Sequence, residues 1–179
     1  MTQGLFETVL KPWWQDLPEE VRRLHSYEGT ERFSGMARVD RGRSLIARLA
    51  AWVFGFPPAA EAVEVTVVKT RDGLNERWER SFDGRRFRSA FAPSDAPARY
   101  CESFGPFTFE LDLPVRDGRM EIVMRRGWLL GVPLPRWALP GSETCEYAED
   151  GKFRFDVALF APFGGGLIVH YRGWLQPED

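Results

Sequence analysis

From Val63 onward, apolar and polar residues alternate along most of the chain. Val63, Val65 and Val67 fall on one side of an extended segment. Trp78, Arg80 and Phe82 share a face, as do Phe87, Ser89 and Phe91. Phe107, Phe109, Leu111 and Leu113 alternate with Thr108, Glu110 and Asp112, and Met120, Ile122 and Met124 follow. Phe153, Phe155, Val157 and Leu159 repeat the pattern, and Leu167, Val169, Tyr171, Gly173 and Leu175 end it. A period of two sends successive side chains to opposite faces of a strand. The interruptions at Arg71-Asp72-Gly73, Asp83-Gly84, Asp117-Gly118 and Asp150-Gly151 carry the residues that tight antiparallel turns demand.

The first third of the chain has a different period. Asp16 followed by Pro18 and Glu19 has the form of a helix start, with Asp16 as cap and Glu19 reaching back. Leu17, Val21, Leu24 and His25 then share one face of a short helix ending near Ser26, and Leu5, Phe6, Val9 and Leu10 suggest another turn or two before Pro12. Glu31 to Val39 alternates as a strand. Ser44 to Phe54 reads as a second helix, with Leu45, Leu49, Trp52 and Val53 on one stripe and Ile46 and Phe54 on another. Because it is apolar on more than one side, it is expected to be largely buried or to lie under a sheet.

These patterns predict a mainly β (α+β) fold. Eight to ten antiparallel strands form a curved sheet, a barrel or half-barrel, packed on the helices near 17–26 and 44–54. No repeat or linker divides the chain, so residues 1–179 read as a single domain.

Composition refines this picture in three places. The 7 Trp and 14 Phe exceed what one thin layer of core needs and point to a broad core or a ligand pocket. A net charge of -2 lacks the basic excess that nucleic-acid binding requires. Only Cys101 and Cys145 are present, too few for a disulfide framework. With neither a signal-peptide pattern nor a membrane-length apolar run, the expectation is a cytoplasmic protein with free thiols and no membrane span.

Motifs that carry chemistry are scarce. There is no G-x-S-x-G elbow, no H-E-x-x-H, no P-loop and no dinucleotide fingerprint, so no cofactor is expected. His25 and His170 are the only histidines, which leaves no histidine-rich metal site, and none is predicted. The catalytic candidates are these two histidines as acid or base, with Glu79 or Asp156 as carboxylate partner. For Glu79, ion pairs across to Arg86 and Arg88 account for the local charge equally well.

Once the alternating set is assigned to a core, Trp13, Trp14, Trp128, Trp137 and Trp174 are left over, near corners and prolines. Tryptophan favours places where an apolar ring meets a polar edge. Trp128, Trp137 and Trp174, with His170 and Arg172 from the last strand, are therefore the candidates for lining a ligand pocket; the alternative is that they seal the ends of the sheet. Gly131-Val132-Pro133-Leu134-Pro135 fixes a rigid apolar corner, either the rim of a cavity or a structural bend.

Six strings span nearly the whole chain: Leu17-Pro18-Glu19-Glu20-Val21-Arg22-Arg23-Leu24-His25, Phe33-Ser34-Gly35, Gly105-Pro106-Phe107-Thr108-Phe109-Glu110-Leu111, Gly131-Val132-Pro133-Leu134-Pro135, Gly151-Lys152-Phe153-Arg154-Phe155-Asp156-Val157 and Tyr171-Arg172-Gly173-Trp174-Leu175. On these the chain resembles an uncharacterised bacterial domain family often found behind saccharopine-dehydrogenase-like Rossmann reductase domains, and also alone. The resemblance implies one complete domain and no transferable activity. Three functions stay open: a binding module for an apolar or amphipathic small molecule, a small enzyme using a His/carboxylate pair in such a pocket, and an accessory domain docking on a separate reductase.

Overall fold

Short apolar stretches at the N-terminus become helices because each can bury one face against the sheet that follows. In the computed structural model, which describes residues 3–178, α1 (Leu5–Leu10) buries Leu5, Phe6 and Leu10, and α2 (Glu19–His25) buries Val21, Leu24 and His25. Helix α2 starts two residues later than the sequence suggests. Pro18 occupies the cap, and no side chain caps the free amides, so the expected roles of Asp16 and Glu19 are not realised.

The remaining chain, apart from α3 (Leu45–Val53), is almost entirely strand: β1 (Thr30–Arg41), β2 (Ala60–Asp72), β3 (Asn75–Phe82), β4 (Arg85–Pro93), β5 (Arg99–Phe104), β6 (Phe107–Asp112), β7 (Val115–Arg116), β8 (Arg119–Glu121), β9 (Val123–Leu129), β10 (Val132–Pro133), β11 (Gly141–Glu149), β12 (Lys152–Phe160) and β13 (Leu167–Pro177). All thirteen belong to one antiparallel sheet, in the order β10-β9-β6-β5-β4-β3-β2-β1-β13-β12-β11-β8-β7. The count exceeds the eight to ten that alternation predicts. The unforeseen strands include β5 and β11, discussed below.

The sheet curls without a closed ladder. Its two flanks are tied by one segment: Met120 and Glu121 pair with β11, Ile122 donates its amide to the Thr144 carbonyl, and from Val123 the same segment pairs with β6. The half-barrel form is the one adopted. Curling brings backbones unusually close where β1 meets β13. A Cβ at Gly35 would run into the Trp174 carbonyl oxygen, and one at Gly173 into that of Met36. Alanine at position 37, opposite Gly173, completes a seam of minimal side chains.

Antiparallel pairing gives the half-barrel two distinct ends. At one end lie the turns after β2, β4, β6 and β11, and α1 and α2 plug it. At the other lie the β3–β4 and β5–β6 turns, the β9–β11 connection, the β12–β13 turn and α3. Helix α3 is where the structure departs most from expectation. Ser44 caps it, accepting from the Ala47 amide at 3.1 Å, but only Ala47 and Ala51 are buried. Leu45, Ile46, Leu49, Trp52 and Val53 face outward, with Leu45 at 80% and Trp52 at 79% exposure. The second apolar stripe does reach the interior through Phe54, which packs on Phe107.

The Gly35 seam yields a direct check. Gly35→Val should lower unfolding free energy by about 3 kcal/mol, the upper range for overpacking, read from the urea midpoint. An unchanged midpoint would contradict the close approach of β1 and β13.

Candidate functional site

A wide curled sheet has more interior than its own side chains fill. Here the inward rows enclose a cavity of about 150 Å³. Its wall is mostly apolar: Val65 and Val67 from β2, Trp78 and Phe82 from β3, Phe109 and Leu111 from β6, Phe153, Phe155 and Val157 from β12, and Tyr171 and Leu175 from β13. Leu24 of α2 closes the plugged end, and Phe54 and Phe56, just beyond α3, close the other. Arg80, Glu102 and Glu146 interrupt this lining with charge.

Arg80 is held on several sides. Its guanidinium lies 4.9 Å from the Trp78 ring, 5.5 Å from Phe87 and 5.8 Å from Phe91, and it donates to Ser89 Oγ at 2.8 Å. Cation–π attraction and that hydrogen bond fix its position. Its contact with Glu102 is loose, 3.5 Å between Nη2 and Oε1. Burial raises the Glu102 carboxyl above the usual range, against the opposing pull of Arg80. The wall thus presents a fixed cation beside an acid that gives up its proton reluctantly.

Glu146 projects from the opposite flank and accepts from His25 across the plug: Nε2 and Oε2 are 2.6 Å apart, with the ring fully buried. Burial lowers the His25 pKa, more than Glu146 raises it. A neutral ring that donates from Nε2 leaves Nδ1 as a bare acceptor, and Nδ1 has no partner. That is less costly than an unpaired buried N–H.

Behind Trp78 lies a second polar cluster, separate from the cavity. Lys69, fully buried, donates to the Leu24 carbonyl, with its ammonium 4.1 Å from the Trp78 ring and 4.4 Å from that of Tyr27. Glu76 accepts from the Tyr27 hydroxyl at 2.8 Å and from Trp78 Nε1 at 2.9 Å. This cluster joins the helical plug to the sheet. Burial pushes the Lys69 pKa down to about 7.

The residues put forward from sequence lie mostly elsewhere. His170 and Asp156 do meet, at 2.6 Å, and Arg172 approaches His170 Nδ1 at 3.3 Å. They sit on the sheet face opposite Tyr171, because neighbouring strand residues point to opposite sides, and Arg172 continues to Asp40 at 3.6 Å. Glu79 binds Arg86 and Arg88 in the predicted cross-strand pairs, on the outer face. Trp174 carries the Lys152 ammonium 3.9 Å over its ring. Trp137 is 64% exposed and packs on Phe163, and Trp128 pairs with Pro133 in the short β9–β10 ladder. None of these residues lines the cavity; Trp78 is the tryptophan that does. Of the catalytic candidates, only His25 bears on it, through Glu146.

Glu102 and Glu146 were missed because they sit on the two strands the pattern hides. In β5 and β11 an inward position is a carboxylate, so alternation of apolar residues breaks where the charge enters the wall. Arg80 was visible in its row, sharing a face with Trp78 and Phe82.

Comparison with known proteins gives a family and nothing more. Residues 17–175 match the model of a domain of unknown function, DUF4166. The chain belongs to this family. No curated protein and no solved structure matches the chain. The match begins at Leu17, just before α2, and ends in β13, so the DUF4166 region holds every cavity residue named above. Among the described residues no group of His, Cys, Asp and Glu is arranged to hold a metal ion, and no helix is long and apolar enough to cross a membrane.

Lys69 sets a pH dependence of stability. Its folded pKa near 7 lies below the usual 10.5, so between these values the unfolded chain binds the extra proton. Stability should therefore rise with pH from 7 to 9, by about 1 kcal/mol per unit at most, and this slope should vanish below 7, where both states are protonated. Lys69→Met should flatten the slope in urea titrations. A slope unaltered by Lys69→Met would refute the assignment.

Proposed function

We propose that this DUF4166 domain is a binding module for an amphipathic small molecule, held in the cavity with its apolar body against the β2, β6, β12 and β13 rows and a polar acceptor at Arg80. The observation that carries this reading is one fixed guanidinium, loosely paired, within a wall otherwise dominated by Val, Leu and aromatic residues. Ligand sites are typically of this kind, concave and apolar with a few placed polar groups. Burial favours the protonated form of Glu102, so a ligand carboxylate at Arg80 meets less repulsion from it than from an exposed glutamate. A space of about 150 Å³ accepts a benzene-sized group, and a longer molecule needs Phe54 and Phe56 to swing aside.

A second reading, acid–base chemistry on the bound molecule, rests on Glu146. Its carboxylate reaches the cavity while His25 supports it from the plug, which is the orienting arrangement a general base uses. Glu146→Gln would then retain binding and stop conversion. Docking on a separate reductase is the third reading, and it draws on the resemblance alone. A cytoplasmic setting goes with all three.

Native mass spectrometry of freshly purified protein should find a bound small molecule. Titration with medium-chain fatty acids should change Trp78 fluorescence, and Arg80→Met should weaken binding of the acids about tenfold or more, the weight of a hydrogen bond to a charged group. Val157→Trp, which fills the cavity, should abolish binding. Fluorescence indifferent to fatty acids, isoprenoids and aromatic acids would overturn the reading, as would acid affinity unchanged by Arg80→Met.

A further inference from the structure

We propose that the end of the half-barrel opposite the plug is a docking surface for a lipid bilayer, with α3 lying in the plane of the interface. The large apolar side chains exposed among the described residues are Trp13, at the plugged end, and a set carried by α3 and by the β9–β10–β11 and β12–β13 connections. These segments touch one another. Ser44 donates to the Gly165 carbonyl at 3.2 Å, Trp137 packs on Phe163 at 5.0 Å, the Leu130 amide donates to the Pro106 carbonyl, and Phe54 packs on Phe107 at 5.1 Å. Apart from Trp13, the exposed apolar residues therefore form a ring around the end that Phe54 and Phe56 close.

Helix α3 is inverted relative to an ordinary surface helix. Its small residues, Ala47 and Ala51, face the protein, and Leu45, Leu49, Trp52 and Val53 face out. Water gives no stability to that arrangement, whereas an interfacial helix needs it. Charge selects the occupant. Segments 42–59, 104–107, 129–140 and 161–166 contain Arg43, Arg48 and Arg136 and no acidic residue, and the β3–β4 turn at the same end sets Asp83 beside Arg85 and Arg86, so the end is cationic in a chain of net charge -2. Arg43, Arg48 and Arg136 are exposed, and none of them forms an ion pair among the described residues. An apolar ring edged with unpaired arginine complements an anionic membrane surface; a second copy of the same cationic face would repel it.

The docking itself stands on this surface. Only its purpose, passing an apolar ligand past Phe54 and Phe56 into the cavity, rests on the proposed function. The test is flotation of the full chain with vesicles of phosphatidylcholine, with and without phosphatidylglycerol. The chain should float with the mixed vesicles and less with the neutral ones. The pair Leu49→Ser and Trp52→Ser should lower the bound fraction about tenfold or more with an unchanged circular-dichroism spectrum, and replacing Arg43, Arg48 and Arg136 by glutamine should erase the preference for anionic lipid. Arg80→Met should float like the parent even if the cavity binds nothing, which separates failure of docking from failure of the cavity reading. Absence of flotation with mixed vesicles would overturn the proposal, as would flotation insensitive to the serine pair in a folded protein. A concentration-dependent dimer that the serine pair abolishes, without vesicle binding, would assign the face to a second copy instead.

Discussion

A sheet this wide, curled on itself, cannot fill its own interior, and the architecture follows from how that space is managed. Eight-stranded barrels leave room for little more than side chains, and adding strands widens the enclosure. Here the plug of α1 and α2 fills one end with Leu5, Phe6, Val21 and Leu24, and the middle is left as a cavity. The Gly35, Ala37 and Gly173 seam permits the curl at β1 and β13, and the 119–129 segment ties the flanks together by changing partner at Ile122. Loss of either feature would open the sheet and expose the aromatic rows.

Burial of charge within this frame is selective. Lys69 and Glu76 lie behind Trp78: Lys69 is held by the Leu24 carbonyl and by aromatic faces, and Glu76 accepts through Oε2 from Tyr27 and Trp78 while its Oε1 has no partner. Arg80, Glu102 and Glu146 instead face the cavity, and their mutual pairing is incomplete. An uncompensated charge in a low-dielectric wall is costly. A fold that needed only stability would place valine or leucine there, as at neighbouring positions of the same wall. The charged positions are therefore those at which the cavity differs from a packing defect.

Much of the fold was legible from hydrophobic periodicity. The period of two in Val63–Val67, Phe107–Leu113 and Phe153–Leu159 translates directly into inward rows, and Asp-Gly pairs mark their turns. Helix α3 was misjudged, because apolar residues on several sides normally signal burial, and periodicity cannot distinguish a helix buried in protein from one presented outward. The candidate site was less legible for a related reason. Sequence gives the alternation of His170, Arg172 and Trp174 but not which side of the sheet is concave, and the inward side belongs to Tyr171 and Leu175. Glu146 and Glu102 break the apolar pattern by which their strands are recognised, and the partnership of Glu146 with His25 spans 121 positions.

The central claim is that the cavity receives an amphipathic molecule with its polar end at Arg80. A crystal of the protein grown with a medium-chain fatty acid brominated at its terminal carbon tests this most directly. The account predicts an anomalous bromine peak among the Val65, Phe109, Phe155 and Val157 side chains, with the carboxylate at the Arg80 guanidinium. Bromine found only on the outer face beside His170 and Trp174, or no bound acid at all, would contradict it.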